Sequence, residues 1–156
     1  MSDDLTHLDD EGRARMVDVG HKPETSRVAV AEARVVMSAA TRDMVFNRTL
    51  PKGDAVAVAR VAGIMAAKKT SELIPLCHPL RLSHVSVEID PDEGGARIEA
   101  RVETVDRTGV EMEAMSAASI AALTVYDMVK GVERGVEIGG VRLLHKAGGR
   151  SGEWNR

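Results

Sequence analysis

The feature that most restricts the fold of this chain is its shortage of large side chains for a core. Its 156 residues include only three aromatic residues, Phe46, Tyr126 and Trp154, against 20 alanines and 20 valines. Small aliphatic side chains bury little area each, so a stable core requires close contact between elements. We therefore expect closely packed helices and further burial by association between copies. The shortage of aromatics also argues against a base-stacking nucleic-acid module.

The remaining composition fits one folded domain over residues 1–156. Hydrophobic residues make up 44% of the chain, charged residues 29%, and the net charge is −3. These values are typical of a globular domain rather than a disordered or strongly basic chain, so we expect no nucleic-acid partner. The single cysteine, the acidic N-terminus and the lack of a long apolar run predict a cytoplasmic protein with no secretory signal and no membrane span.

Hydrophobic periodicity predicts the order strand, helix, hairpin, helix, strand. Residues 1–25 are polar and are interpreted as a mobile N-terminus. The predicted elements are a strand over 26–37 (one strand with a bulge, or two short ones), a helix over 54–73, a hairpin turning at 91–95, a helix over 111–129 and a strand around 141–145. This order predicts a ferredoxin-like α+β fold, with two long helices on one face of an antiparallel sheet.

The second long helix carries one polar stripe on an otherwise apolar surface. At about 100° per residue, Glu113, Ser116, Thr124 and Asp127 fall within about 80° of one another. The stripe is either a solvated face or the wall of an interface or site. Its ends are about 21 Å apart, so an antiparallel helix of another subunit could bring them into one site.

Several cations stand at the ends of elements. A lysine at a helix C-terminus complements the helix dipole, which explains Lys68, Lys69 and Lys130 without any function. Lys52 instead precedes a helix N-terminus, where a cation is unfavourable unless an anion binds as well. Lys146 and Arg150 flank Gly148-Gly149, which suggests either a backbone that wraps an anion or an exposed loop. Lysines near one another would lower each other's pKa, making one a usable base.

The segment from Ile74 to Leu80 is an extended, proline-stiffened loop. Adjacent Cys77 and His78 would point to opposite sides of an extended chain, and no Cys-x-x-Cys or His-Glu-x-x-His pattern is present, so no metal site is expected. Cys77 is interpreted as a buried structural thiol. His78, held between Pro75 and Pro79, is either a rigidly placed functional group or a core histidine. Nucleotide-binding glycine motifs are absent.

Long strings of this sequence resemble one family, the cyclic pyranopterin monophosphate synthases of molybdenum cofactor biosynthesis. The matching strings, in family order between about Leu5 and Gly152, are Leu5-Thr6-His7, Met16-Val17-Asp18-Val19, Lys52-Gly53-Asp54, Ala66-Ala67-Lys68-Lys69-Thr70, Leu73–Leu80, Thr108–Ala114, Ala121–Met128 and Lys146–Gly152. The hairpin turn and residues 153–156 lie outside the match.

The resemblance implies a fold, an assembly and a reaction. It implies a ferredoxin-like chain assembled as a hexamer of three dimers, with the active site at a subunit interface. The implied reaction rearranges 3′,8-cyclo-7,8-dihydro-GTP, made from GTP by a radical enzyme, to cyclic pyranopterin monophosphate and releases pyrophosphate. These are proton-transfer steps that require no redox cofactor, whereas Mg²⁺ could accompany the triphosphate.

The resemblance also implies roles for individual residues. Asp127 matches the family's catalytic aspartate, and Lys52 and Lys130 match its catalytic lysines, which suit general acid–base work. The expected substrate-binding residues are Leu76, Cys77, His78, Met112 and Glu113, with Lys68, Lys69, Lys146, Arg27 and Arg150 as candidates for the triphosphate. The alternatives are a non-enzymatic ferredoxin-like module that binds an anion, or an assembly protein whose stripe is only a seam.

Overall fold

The protein is an α+β sandwich of one antiparallel sheet and one helical layer. The computed structural model describes residues 7–156, so Leu5 and Thr6 and the first part of the predicted N-terminal segment lie outside the described residues. The strands are β1 (Thr25–Val36), β2 (Leu82–Asp92), β3 (Gly95–Asp106), β4 (Glu137–Ala147) and β5 (Trp154–Asn155), in the sheet order β2-β3-β1-β4-β5. The first four strands and the helices between them confirm the predicted ferredoxin-like fold. Strand β1 is one strand with a bulge in its pairing with β4.

The helical layer differs from the prediction in two places. The helices are α1 (Ala39–Phe46), α2 (Ala55–Lys68), α3 (Thr70–Leu73) and α4 (Glu111–Val129). The predicted helix over 54–73 is wrong as a single element, because the backbone of Lys69 leaves the helical region and the Thr70 hydroxyl donates to the last carbonyls of α2. Helix α1 was not predicted, although Ser38 caps its N-terminus. Within residues 7–156 no helix has the length and apolar character needed to cross a membrane.

Helices α2 and α4 pack closely because a glycine stands at their crossing. A Cβ atom built on Gly63 would lie 3.0 Å from the carbonyl oxygen of Ala117 and 3.2 Å from the Cβ of Ala121. The side chains of α4 at this contact are buried alanines. Small residues therefore replace the missing aromatic bulk by bringing the two helix backbones together, as expected for a core of this composition.

The face of the sheet opposite the helices is charged. Glu32 on β1 is only 2% exposed, yet it lies on this face between two arginines. Arg97 Nε donates to Glu32 Oε2 over 2.9 Å and Arg142 Nε donates to Oε1 over 2.7 Å. These bonds lower the pKa of Glu32 against the opposing effect of burial, which is the largest single influence on it. The pair of guanidinium groups thus keeps a buried carboxylate ionised.

Candidate active site

A cavity of about 320 Å³ opens at the N-terminal end of α4. Its lining brings together all five residues expected to bind substrate through the two matched loops, Leu76, Cys77, His78, Met112 and Glu113. The other lining residues are His7, Val17, Val19, Lys22, Leu80, Thr108, Gly109 and Glu111. The loop after α3 and the first turn of α4 therefore form opposite walls of one concave site.

Glu113 is the buried carboxyl group of this cavity. It is 4% exposed, and burial raises its pKa from 4.5 to about 7, with the charge of Glu111 adding to the increase and its own backbone N–H opposing it. Near neutral pH the group is therefore divided between its protonated and ionised forms. A carboxyl group in that condition can both give and take a proton, which is the requirement for general acid–base work.

His78 is fixed by the N-terminal segment of the chain. Its Nε2 lies 2.7 Å from the carbonyl oxygen of Val17. Because a carbonyl oxygen only accepts, Nε2 carries the proton and donates it. The ring is half-buried and lines the cavity rather than the hydrophobic core. Cys77 beside it has a raised pKa through burial and the nearby Glu113, so the thiol stays protonated.

A second, basic cavity adjoins the first. It has a volume of about 260 Å³ and shares Lys22, Thr108, Gly109 and Glu111 with the first cavity. Its cationic lining residues are Lys22, Arg27, Arg107 and Arg150. Glu111 is the one carboxylate among these lining residues. Four cationic side chains against one carboxylate make the cavity suited to an anionic ligand.

Lys146 lines neither cavity, but it forms an ion pair with a residue that lines both. Its Nζ donates to Glu111 Oε1 over 2.9 Å, and both side chains are about one-third exposed. Glu111 begins α4 and lines both cavities.

The three expected catalytic residues form a separate cluster at the other end of α4. Lys52 Nζ donates to the main-chain oxygen of Asp127 over 2.8 Å and to its Oδ2 over 3.1 Å. Lys130 Nζ lies 2.7 Å from Asp127 Oδ1. The bond from Lys130 and then that from Lys52 hold the pKa of Asp127 below its usual value. The carboxylate in turn raises the pKa of Lys130, so this lysine keeps its proton.

Local structure explains how Lys52 reaches this position. Leu50, 5% exposed, anchors the turn before α2, and the Gly53 N–H donates to the Leu50 carbonyl. Gly53 has φ +98°, a backbone conformation that glycine adopts readily. Asp54 then caps α2 by accepting from the Ala57 N–H. Lys52 and Asp127 therefore meet within one chain, by tight folding rather than by association.

The two groups of candidate residues lie far apart within one chain. Sixteen residues separate Glu111 from Asp127 along α4, which corresponds to about 24 Å. Lys52 precedes α2 and contacts the end of α4, so the two helices are antiparallel, and Lys68 and Lys69 lie at the end that holds Glu113. Both of these lysines are exposed and neither lines the two cavities described above. The predicted polar stripe is thus not one continuous face, because Glu113 is buried and Asp127 is exposed.

Three charged cavity residues were missed at the sequence level. Lys22 and Glu111 line both cavities, and Arg107 lines the basic one. Glu111 and Arg107 lie in or beside the matched string Thr108–Ala114, so their position next to Met112 and Glu113 was an available signal. Lys22 lies in the polar N-terminal segment, and no local pattern marks it. Among residues 7–156, no group of three His, Cys, Asp or Glu side chains is arranged to hold a metal ion.

This combination of fold and site defines a class of protein. It is an α+β protein with a lysine–aspartate cluster at one end and a cationic cavity at the other, the equipment of an enzyme that uses acid–base chemistry on an anionic small molecule. The chain belongs to the MoaC family, whose model matches residues 16–149.

Relatives of similar length support this membership. A cyclic pyranopterin monophosphate synthase of Chloroflexus aggregans is 60% identical over 156 residues, covering 99% of this chain and 94% of the relative. Proteins of the same name from Thermomicrobium roseum and Brucella ovis are 61% and 55% identical, covering 98% and 99% of this chain and 93% and 94% of their own lengths. The expected family is confirmed, and these names favour an enzyme over a binding module.

Proposed function

We propose that this protein is a lyase of molybdenum cofactor biosynthesis that converts 3′,8-cyclo-7,8-dihydro-GTP to cyclic pyranopterin monophosphate and pyrophosphate. Membership of the MoaC family carries this proposal. The substrate is the product of a radical enzyme that acts on GTP, so the two proteins work in sequence in the cytoplasm. The reaction needs no redox cofactor, and Mg²⁺ enters with the triphosphate.

The lysine–aspartate cluster carries the proton transfers in this proposal. Asp127 is ionised and hydrogen-bonded to two lysines, so it is ready to accept a proton as a bond to hydrogen breaks. Lys130 has the complementary role, because its raised pKa keeps it protonated for delivery to a leaving nitrogen or oxygen. Lys52 holds the carboxylate from the other side and adds positive charge where an anion develops.

The two cavities hold the substrate in this proposal. The first cavity, with His78 and Glu113, takes the heterocycle. Because His78 Nε2 donates to the Val17 carbonyl, Nδ1 is the ring nitrogen left to contact the substrate, beside a carboxyl group whose pKa is raised to about 7. The basic cavity takes the phosphates. Formation of the cyclic phosphate requires a substrate hydroxyl to attack the α-phosphorus while the bond to pyrophosphate breaks. Arg27, Arg107, Arg150 and Lys146 then stabilise the departing negative charge.

A complete site on this proposal needs two copies of the chain. The catalytic cluster and the cavities lie at opposite ends of α4, and a nucleotide-sized substrate cannot span about 24 Å. Helix α2 exposes an apolar strip, Ala57, Val58, Val61, Ala62 and Met65, lining a groove of about 460 Å³ midway between the two ends. Packing this strip against the same strip of a second copy, antiparallel about Val61, brings the cluster of one chain towards the cavities of the other.

The partner on this strip is a second copy because a two-fold pairing completes two sites at once. Antiparallel α2 helices also oppose their dipoles favourably, and the groove contributes almost no polar surface that would need a partner. Three such dimers make the proposed hexamer.

The experiment that tests this function supplies the cyclic intermediate, made from GTP by the radical enzyme, and measures pyrophosphate release. The wild-type protein should release pyrophosphate, and Asp127→Asn should lower kcat by at least about 100-fold, because the base is lost while the shape is kept. Asp43→Asn removes another exposed carboxylate, on α1, and should leave kcat unchanged. No release by the wild-type protein would contradict the proposed reaction.

A further inference from the structure

We infer that the last four residues, 153–156, form a latch that holds the loop 147–152 in the shape that binds pyrophosphate. This inference rests on the proposed function of the basic cavity. The four residues lie outside the strings that carry the family resemblance, and the sequence predicted no element there. In the structure Trp154–Asn155 forms β5, and Arg156 also bonds back to β4.

Four contacts fasten the latch to β4. Lys146 and His145 pair with Trp154 and Asn155 in antiparallel register. The backbone N–H of Arg156 donates to the Leu144 carbonyl over 2.9 Å, and its Nε donates to the Leu143 carbonyl over 2.8 Å.

Side chains reinforce this backbone pairing. The Asn155 amide oxygen accepts from His145 Nδ1 over 2.8 Å. The Arg156 guanidinium lies 5.6 Å from the centre of the Trp154 ring. Contacts of this kind favour one position of the tail over a freely moving one.

The latched loop faces the basic cavity. Arg150 and Ser151 line that cavity, and Lys146 stands at the foot of the loop. Gly148 and Gly149 have φ of +104° and +71°, and Arg27 packs against both of them, so that a Cβ on Gly149 would overlap the Arg27 guanidinium. The loop is thus shaped around the Arg27 guanidinium, which lines the basic cavity.

Closing the loop at both ends prepares it for its ligand. Without β5, residues 147–152 would be held at Ala147 and by the contacts of Arg27 with Gly148 and Gly149, while residues 150–152 would be free at the other end. Binding an anion would then have to order Arg150 and its backbone. With β5 in place, most of that ordering is already accomplished when the protein folds. The latch therefore acts through Arg150 and Lys146 and is a positioning element for the phosphate end of the substrate.

The test compares pyrophosphate binding by the full chain and by a variant that ends at Gly152. Calorimetry should show a dissociation constant about tenfold higher for the shortened variant. With the cyclic intermediate, KM should rise by a similar factor while kcat stays within about twofold, because the Lys52–Asp127–Lys130 cluster is at the other end of the chain's helices. A purely structural role would instead lower the active fraction, and therefore kcat, without changing KM.

Two further variants distinguish loss of the latch from a general folding defect of the shortened chain. Arg156→Ala removes the bond to the Leu143 carbonyl and the contact with Trp154, and should give a smaller change in the same direction. Arg101→Ala removes an arginine of similar exposure on the open face of the sheet and should change nothing. Equal pyrophosphate binding by the full chain, the shortened variant and Arg156→Ala would overturn the latch alone. Failure of the wild-type chain to bind pyrophosphate would overturn the proposed phosphate site itself.

Discussion

The buried carboxyl group of Glu113 affects both the stability of the fold and the acid–base properties of the cavity. Its carboxyl group is at the start of α4, where the helix dipole favours a negative charge, yet burial has the larger effect and raises its pKa to about 7. The folded chain therefore binds this proton more tightly than the unfolded chain does. Its neutral form is the one that the fold prefers.

The difference between the pKa values of Glu113 in the folded and unfolded chain predicts a pH-dependent stability, and Glu113→Gln should remove this dependence. Because the folded-state pKa exceeds the unfolded value of 4.5, the contribution of Glu113 is complete below about pH 4.5 and is lost as pH rises through about 7. The loss at alkaline pH amounts to roughly 3 kcal/mol. Between about pH 5 and about pH 8, the melting temperature in thermal unfolding should fall more for the wild type than for Glu113→Gln.

The matched control is Glu88→Gln, which changes an exposed carboxylate on β2. Its pH dependence should equal that of the wild type. Equal curves for wild type and Glu113→Gln would show that the carboxyl group is already well solvated.

At the scale of the elements, the sequence predicted those helices and strands whose bounds follow from hydrophobic periodicity and helix caps. Helix α4 has the predicted bounds, and the sheet order follows from the predicted succession of strands. Helix α1 was not predicted because it is only eight residues long and buries only Thr41 and Val45. Strand β5 was not predicted because two residues are too few to show a hydrophobic pattern, and because its pairing depends on another strand, β4.

The candidate site, too, could be predicted from the sequence only in part. The strings that resemble the family identified the loop at His78, the start of α4 and the residues of the lysine–aspartate cluster. No local pattern could show that Lys52 and Asp127 meet within one chain, since 75 residues separate them. Lys22 and Arg107 join the site only through tertiary folding.

The crossing of α2 and α4 at Gly63 gives a prediction about packing. A valine there would place its Cβ 3.0 Å from the carbonyl oxygen of Ala117 and 3.1 Å from Val87 Cγ2. The backbone of α4 and the stiff, branched side chain of Val87 would therefore have to move. Gly63→Val should lower the free energy of unfolding by about 1–3 kcal/mol, measured by urea denaturation. Gly135→Val, at a position with nothing within 4 Å, should have a much smaller effect. Equal effects would mean that the helices separate easily.

At the scale of the whole molecule, the two halves of the site predict a specific pattern of complementation. Lys52→Ala damages the cluster and His78→Ala damages the cavity, so each variant alone should be inactive. In a mixed dimer, one site receives the intact cluster of one chain and the intact cavity of the other. Equal mixing after dissociation and reassembly should restore about a quarter of wild-type pyrophosphate release, since half of the dimers are mixed and each has one good site.

The control mixture joins Lys52→Ala with Asp127→Ala. Both residues lie in one cluster of one chain, so no arrangement of these two chains restores a site. Adding Val61→Glu to both chains of the first mixture should prevent the rescue, because it charges the apolar strip on α2. Val105→Glu, an exposed valine on β3, should not. Rescue in the control mixture, or none in the first with mixed dimers present, would refute the two-chain site.

The shortage of aromatic residues also determines how this protein responds to light. Its only tryptophan, Trp154, is in the latch, and its only tyrosine, Tyr126, precedes Asp127. The alanine and valine interior between them absorbs almost nothing in the near ultraviolet. Tryptophan emission therefore reports on the end of the molecule proposed to bind phosphate, and tyrosine absorption on the end proposed to carry out the acid–base chemistry. A loosening of the alanine and valine core changes neither signal unless it alters the surroundings of Trp154 or Tyr126.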